Sequence, residues 1–183
     1  MGVSNGPRSP GLHMSSIYDD LYQDLEPKRY IKGSKPDVLR MEAGLAFEDL
    51  LEEGIKRRLC ADRPGEFTTE EGIIFTPDLI IFDGASAGGR LGEIKLTWMS
   101  SKEVPRETAN GFPPKFDKYF TQMKAYCYHL ELGTARLLAF FVNGDYRPPK
   151  PELLAWDIEF TSRELEENWR MLVNHARHKR MLI

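Results

Sequence analysis

The sequence predicts an α/β fold with a central mixed β-sheet of about five strands flanked by helices, in the order α-β-β-β-α-β-β-α. Apolar residues recur with helical spacing in three segments of the chain. Five other segments are short, apolar and β-prone, and turn residues bound them. The 183 residues, 41% of them hydrophobic, are enough for one domain with a substantial core. We therefore expect a single folded unit.

The first half of the chain is predicted to contain one helix followed by three strands. Residues 39–59 have helical periodicity, and their apolar stripe contains Met41, Leu45, Ile55 and Leu59. After Pro64-Gly65 the pattern changes to β-prone runs, which predict strands at 66–71, 73–82 and 91–98. Glycines and turn residues separate these runs, so we expect a meander of neighbouring strands.

The second half is predicted to contain a helix, two strands and a last helix. Residues 99–114 are rich in proline and read as a long connection, a feature associated with function or mobility. A helix is expected next, then two strands, then a helix that begins at the capping-box pattern Thr161-Ser162-Arg163-Glu164. The predicted bounds are 115–132 for the first helix, 134–142 and 153–160 for the strands, and 161–180 for the last helix.

The first residues of the chain differ in composition from the rest. Residues 1–14 are rich in Gly, Ser and Pro without periodicity, so we expect a disordered or vector-derived tail and a single domain over 15–183. No apolar run approaches the roughly 20 residues of a membrane span, and no signal peptide is recognisable. We expect a soluble protein of the cytoplasm, bacterial or of a phage-infected cell, with no membrane partner.

Cysteine content restricts the kinds of metal site that the chain can hold. Cys60 and Cys127 are the only cysteines, too few for an iron–sulfur cluster or a thiolate zinc site. Any metal is therefore expected to have oxygen ligands.

The charge pattern is compatible with a nucleic-acid partner. The formal net charge is -3, which alone argues against binding phosphates. Basic residues are nevertheless clustered, and each cluster is either a phosphate-binding patch or a solvated surface run. The clusters are Lys28, Arg29, Lys32 and Lys35; residues 56–58; and Arg177, Lys179 and Arg180.

Asp78, Glu93 and Lys95 are the strongest candidates for chemistry. In a strand, side chains alternate between faces, so Glu93 and Lys95 share one face while Ile94 points to the other. If the strand that carries Asp78 pairs with this one as a hairpin, the two carboxylates can reach one cation, and Mg²⁺ prefers such hard oxygen ligands. The alternative is an exposed Glu-Lys pair on a strand and an aspartate in a turn.

Glu48 is a third candidate ligand. It falls within the apolar stripe of the first predicted helix, where an ionised carboxylate costs several kcal/mol unless it is compensated. A metal ion would compensate it, and a buried salt bridge to a lysine or arginine is the alternative.

Gln122 and Tyr126 lie at positions i and i+4 of the helix after the long connection. They therefore present an amide and a phenol on one helical face. These groups can hydrogen-bond to the lysine or to a phosphate oxygen, although ordinary amphipathic patterning would also produce them.

Together these motifs resemble the PD-(D/E)XK nuclease superfamily, in particular the branch of RecB-type nuclease domains and lambda-type phage exonucleases. The resemblance rests on Pro77-Asp78, Glu93-Ile94-Lys95, Gln122-x-x-x-Tyr126 and Gly44-x-x-x-Glu48, and it spans about residues 39–160. It implies a restriction-endonuclease-like core. A glutamate at position 48 favours the phage exonuclease side of this branch.

The resemblance also implies roles for individual residues. Glu48, Asp78, Glu93 and the backbone carbonyl of Ile94 would bind Mg²⁺, for which Mn²⁺ can substitute. Lys95 would be catalytic, and Gln122 and Tyr126 would support the site or contact DNA.

The resemblance leaves three functions open. The leading expectation is a metal-dependent DNA exonuclease of phage or recombination and repair type. The alternatives are a structure- or sequence-specific endonuclease on the same core and a DNA-binding module without activity. A recombination or single-strand-annealing partner protein and a homo-oligomer are also left open.

Overall fold

A computed structural model describes six segments of the chain: residues 9–29, 38–58, 60–84, 88–106, 111–142 and 150–182. Within them the chain forms four α-helices: α1 (Met14–Leu25), α2 (Val38–Lys56), α3 (Asp117–His129) and α4 (Ser162–His178). The strands are β1 (Leu12–His13), β2 (Ala61–Asp62), β3 (Phe67–Thr68), β4 (Ile73–Phe75), β5 (Leu79–Ile81), β6 (Arg90–Thr97), β7 (Thr134–Phe141) and β8 (Glu152–Glu159). None of the helices within these segments combines the length and apolar character needed to cross a bilayer.

The central sheet has five strands in the order β2-β5-β6-β7-β8. β6 and β7 run parallel, and the other neighbours are antiparallel, so the sheet is mixed. The parallel pair requires a crossover, which α3 supplies. The predicted fold class is confirmed.

Helices cover both faces of this sheet. On one face, α1, α3 and α4 contribute to the main core, with residues such as Leu21, Met123 and Leu172 packed in the same cluster as Leu137 of β7. On the other face, Ile55 of α2 packs in a smaller cluster with Ile94 of β6. The sheet thus separates two apolar layers.

The predicted strand at 73–82 is wrong as a single element. It is divided into β4 and β5 by Thr76-Pro77-Asp78, because proline has no N–H to donate to a ladder. β4 belongs with β1 and β3 to a separate three-stranded sheet, so the expected meander is interrupted. The break leaves Asp78 at the start of β5.

The tail predicted at 1–14 extends too far, because its last three residues, 12–14, belong to the folded part of the chain. Leu12 and His13 pair in parallel with Ile73 and Ile74, and Met14 is fully buried. Met14 begins α1, a helix that the sequence analysis did not predict. Its buried residues follow spacings of three and four, the pattern of an amphipathic helix: Met14, Ile17, Tyr18, Leu21 and Tyr22.

The apolar stripe of α2 also differs from the prediction. Its packed face contains Phe47, Leu51 and Ile55, and the Phe47 ring lies 4.6 Å from that of Phe140. Leu45, expected on the stripe, is 37% exposed because the aromatic contact turns the other face to the sheet. Leu59 and the side chain of Met41 lie outside the described residues.

The second half agrees with the prediction to within a few residues. The capping box of α4 is present, since Thr161 Oγ1 accepts a bond from Glu164 N and Glu164 Oε2 accepts one from Thr161 N. The first part of the long connection is anchored to β8. Ser101 and Arg106 both bind Glu152, and Trp156 Nε1 donates to Pro105 O at 2.9 Å.

Candidate metal centre

The β5–β6 hairpin brings Asp78 beside Glu93 and Ile94. Leu79 pairs with Gly92, and the ladder ends there because Pro77 precedes Asp78. The Asp78 side chain continues the connection, since its Oδ2 accepts the N–H of Ile94 at 2.8 Å. The carboxylate is therefore held at a defined place against the backbone of β6.

Glu93 and Lys95 lie on the same face of β6 as Asp78. Glu93 is fully buried, and Lys95 Nζ forms an ion pair with its Oε1. The same ammonium lies 3.9 Å from Asp78 Oδ2. Two carboxylates and one ammonium thus converge, and Ile94 packs on the opposite face, in the cluster with α2.

The backbone carbonyl of Ile94 faces the same edge as the Asp78 carboxylate. The N–H of Ile94 points to Asp78, and in an antiparallel pair the N–H and C=O of one residue face the same neighbour. β5 begins only at Leu79, opposite Gly92, so the group beside Ile94 is the side chain of Asp78. An oxygen ligand from the backbone is compatible with this geometry.

Two tyrosines that the sequence analysis missed lie around these charges. Tyr119 of α3 has its ring centroid 5.7 Å from Lys95 Nζ, within the range of a cation–π contact. Tyr18 of α1 is 7% exposed. Burial raises the pKa of Tyr18, with smaller effects from Lys95, which lowers it, and Glu93, which raises it. Burial also raises the pKa of Tyr119, so both phenols remain protonated at neutral pH.

Gln122 and Tyr126 lie in the buried part of α3, 8% and 4% exposed. The Tyr126 ring stacks on Phe75 with centroids 5.2 Å apart. Burial raises the pKa of Tyr126, the neighbouring Tyr18 phenol and the carboxylates of Glu93 and Asp78 raise it further, and Lys95 lowers it. Tyr126 thus belongs to the surroundings of the acidic pair, packed beneath it rather than at the surface.

Glu48 lies in α2, which packs on the face of the sheet opposite to α1 and α3. Its side chain lies outside the described residues. Its role as a ligand stays a prediction.

A second acidic group is found between α1 and α4, away from the predicted residues. Asp20, Asp24 and His175 have oxygen and nitrogen atoms close enough to share a cation. Lys179 Nζ already lies 2.7 Å from Asp24 and 3.5 Å from Asp20, and His175 Nε2 lies 2.9 Å from Asp20. We interpret this group as an ion-pair network that fastens α1 to α4.

Fastening α1 matters to the site because α1 carries Tyr18. The buried positions of α1 gave a helical signal in the sequence that could have revealed Tyr18. No comparable signal marks Tyr119, which is one of several aromatic residues in the same stretch.

The structure is that of an α/β protein whose central sheet carries two carboxylates and a lysine where the β5–β6 hairpin begins.

No family model matches the chain, and no curated protein matches its sequence. Among solved structures, the alkaline exonuclease LHK-Exo from Laribacter hongkongensis is similar, with a TM-score of 0.57 and 16% identity. The match covers 92% of this chain and 89% of that one.

The structure of LHK-Exo in complex with dAMP is also similar, with a TM-score of 0.50, 13% identity and the same coverage. The chain therefore shares the fold of this exonuclease.

Proposed function

We propose that this chain is a divalent-metal-dependent nuclease that hydrolyses phosphodiester bonds in DNA. The observation that carries the proposal is the convergence of Asp78, Glu93 and Lys95 on one face of the β5–β6 hairpin. Hard oxygen ligands and an adjacent ammonium suit the hydrolysis of a phosphate ester. The shared fold with an alkaline exonuclease supports the same class of reaction.

The donor set fits Mg²⁺, with Mn²⁺ as a substitute. Glu93 is fully buried beside a second carboxylate, and burying two acidic groups together is costly unless cations balance them. Asp78, Glu93 and the carbonyl of Ile94 would hold the metal, and Glu48 would complete the set. When bound, such an ion lowers the pKa of a water molecule and stabilises charge on phosphate oxygens.

Lys95 has the catalytic role in this proposal. Its ammonium lies between the two carboxylates, where it can donate to the attacking water or to a phosphate oxygen. The Ile94 N–H donates to the Asp78 carboxylate and fixes its position, and the Tyr119 ring lies beside the ammonium of Lys95. Gln122 and Tyr126 support the site from α3.

We further propose that hydrolysis proceeds from DNA ends. The likeness to an exonuclease and the phage-type motif at Glu48 favour this mode over internal cleavage. A recombination or single-strand-annealing protein would be a fitting partner where only one strand is digested, because the other strand is then left single-stranded. A cytoplasmic location, bacterial or in a phage-infected cell, accords with that role.

Degradation of end-labelled linear duplex tests the proposal. The native chain, Lys95→Ala and Asp78→Asn would be compared in Mg²⁺, in Mn²⁺ and in EDTA. Asparagine keeps an oxygen that can accept the Ile94 N–H, so its effect reports on charge more than on folding. We expect metal-dependent hydrolysis by the native chain and a loss of about 100-fold or more in kcat in either variant.

Asp62→Asn is the matched control, since Asp62 is an exposed carboxylate at the edge of the central sheet. It should hydrolyse DNA at the native rate. Equal activity of the native chain and Lys95→Ala would remove the assigned site. DNA retention without hydrolysis in any divalent metal would instead indicate a binding module.

Covalently closed circular DNA separates the two modes of cleavage. A nuclease that starts at ends leaves relaxed circles intact while it degrades linear duplex of the same sequence. Cutting of circles at the rate of linear DNA would reject the exonuclease mode while leaving the metal centre in place.

A further inference from the structure

The aromatic ring of Tyr119 provides a neutral contact for the ammonium of Lys95. The Nζ atom of Lys95 lies over this ring, 5.7 Å from its centroid, which is within the range of a cation–π interaction. The face of an aromatic ring carries partial negative charge, so it attracts an ammonium without being an ionised group. The Lys95 side chain is 17% exposed, and the attraction is stronger for a cation that is partly removed from water.

The position of the Tyr119 ring is fixed by the start of α3. Tyr119 is the third residue of that helix, and its ring meets the ring of Phe116 edge to face, with centroids 5.3 Å apart. Phe116 is fully buried, and its N–H donates to Pro113 O at 2.8 Å. The ring therefore belongs to a packed aromatic group, and its place beside the lysine does not depend on the charges of the site.

Two further contacts of the ammonium are carboxylates, and both are proposed metal ligands. Lys95 Nζ forms an ion pair with Glu93 and lies 3.9 Å from Asp78 Oδ2. Carboxylate oxygens that bind a divalent ion are shared less fully with an ammonium, and two cations at short range repel each other. Mg²⁺ takes oxygen ligands, so the face of the Tyr119 ring stays available to the ammonium.

We propose that Tyr119 is a positioning residue, which holds the Lys95 ammonium beside the attacked phosphate while Asp78 and Glu93 bind the metal. This inference rests on the proposed nuclease function and adds a residue to its machinery. In this role Tyr119 contacts neither the metal nor the phosphate, and it acts only through the lysine. Because the ring face makes the contact, the hydroxyl is expected to be dispensable.

Substitutions at position 119 test this role through the kinetics of the full chain on end-labelled linear duplex in Mg²⁺. Tyr119→Leu removes the ring, and we expect kcat to fall about 5- to 30-fold while KM stays within about twofold, because the ammonium loses a positioning contact and the substrate loses none. Tyr119→Phe keeps the ring and should retain kcat within about twofold. Phe160→Leu is the matched control, because it removes a ring that Lys124 Nζ contacts at 5.5 Å outside the metal centre, and it should keep the native kcat.

Fluorinated phenylalanines at position 119 separate the charge of the ring face from the packing of the ring. Each added fluorine withdraws electrons from the face while the size of the ring changes little, so a purely packing role would leave kcat unchanged. We expect kcat to fall stepwise from phenylalanine through its mono-, di- and trifluorinated forms. A flat series, or a loss in Tyr119→Phe equal to that in Tyr119→Leu, would overturn the inference. The series also decides the matter if Tyr119→Leu fails to fold.

NMR of the Lys95 side chain supplies a measurement that needs no hydrolysis. The ring current of Tyr119 should shift the ε-methylene protons of Lys95 upfield, and Lys95→Met identifies their signal. We expect this shift in the native chain without metal, its persistence when Mg²⁺ is added, and its loss in Tyr119→Leu. Disappearance of the shift when Mg²⁺ is added to the native chain would contradict the proposed role.

These measurements keep the two proposals separate. If the native chain hydrolyses nothing, the nuclease proposal fails, while the Lys95 signal in Mg²⁺ still decides whether the ring holds the ammonium. If hydrolysis depends on Asp78 and Lys95 but Tyr119→Leu has the native kcat, only the role of Tyr119 fails.

Discussion

Removing the charge of Lys95 should destabilise the protein as well as inactivate it. Its partner Glu93 is fully buried, and the Lys95 side chain is 17% exposed. Loss of one member of a buried ion pair costs about 3 to 5 kcal/mol, because the other charge stays in a poorly solvated place. Since Lys95 is partly exposed, we expect about 3 kcal/mol for Lys95→Met, which keeps most of the apolar stem. For a chain of this length that is a fall of about 6 to 12 °C in Tm.

The assay is urea denaturation in metal-free buffer near neutral pH, as a double-mutant cycle. Lys95→Met, Glu93→Gln and the double variant would be compared with the native chain. The double variant should be more stable than the sum of the single changes predicts, since it removes both charges. A native unfolding free energy for Lys95→Met, within about 0.5 kcal/mol, would refute the argument that the pair is buried and coupled.

Three further changes have defined outcomes. Burial raises the pKa of the Cys127 thiol from 9.0 to about 12, so the native chain should lose about 1.4 kcal/mol of stability per pH unit between pH 9 and about 12, where the thiol ionises only in the unfolded chain. Cys127→Ala should lack this component in urea melts, and parallel pH profiles would contradict it. Gly92→Ala should lower stability and activity, because the added Cβ would lie 3.0 Å from Leu79 Cβ; Gly133→Ala, with open space, is its control. Thr161→Ala should cost about 1 kcal/mol through loss of the α4 cap, against little change for Ser162→Ala.

The convergence of Asp78, Glu93 and Lys95 could be predicted from sequence because it depends on local rules. Strand alternation puts Glu93 and Lys95 on one face, and a short hairpin is a local pairing that brings Asp78 beside them. Pro77 lies inside the strand expected at 73–82, and its missing N–H interrupts the ladder there. The structure therefore has two strands where the sequence was read as one.

The elements that pack around these residues could not be predicted in the same way. β1 pairs with Ile73 and Ile74 from a distant part of the chain, and nothing in the local pattern reports a parallel pairing of that kind. Tyr18 and Tyr119 come next to Lys95 only through tertiary packing of α1 and α3. In α2, the contact between Phe47 and Phe140 decided which face turned to the sheet. Tertiary contacts of this kind outweigh helical periodicity.

The parallel pairing of β6 with β7 has a consequence for the order in which the protein folds. The bond from Ile94 to Asp78 spans 16 residues, whereas Gly92 pairs with Arg136 across a much longer stretch of chain. Closing the longer loop costs more entropy, so the hairpin is expected to form first and the crossover later. A chain halted between these stages would expose its acidic pair to solvent, because the aromatic residues of α3 would not yet be packed around it.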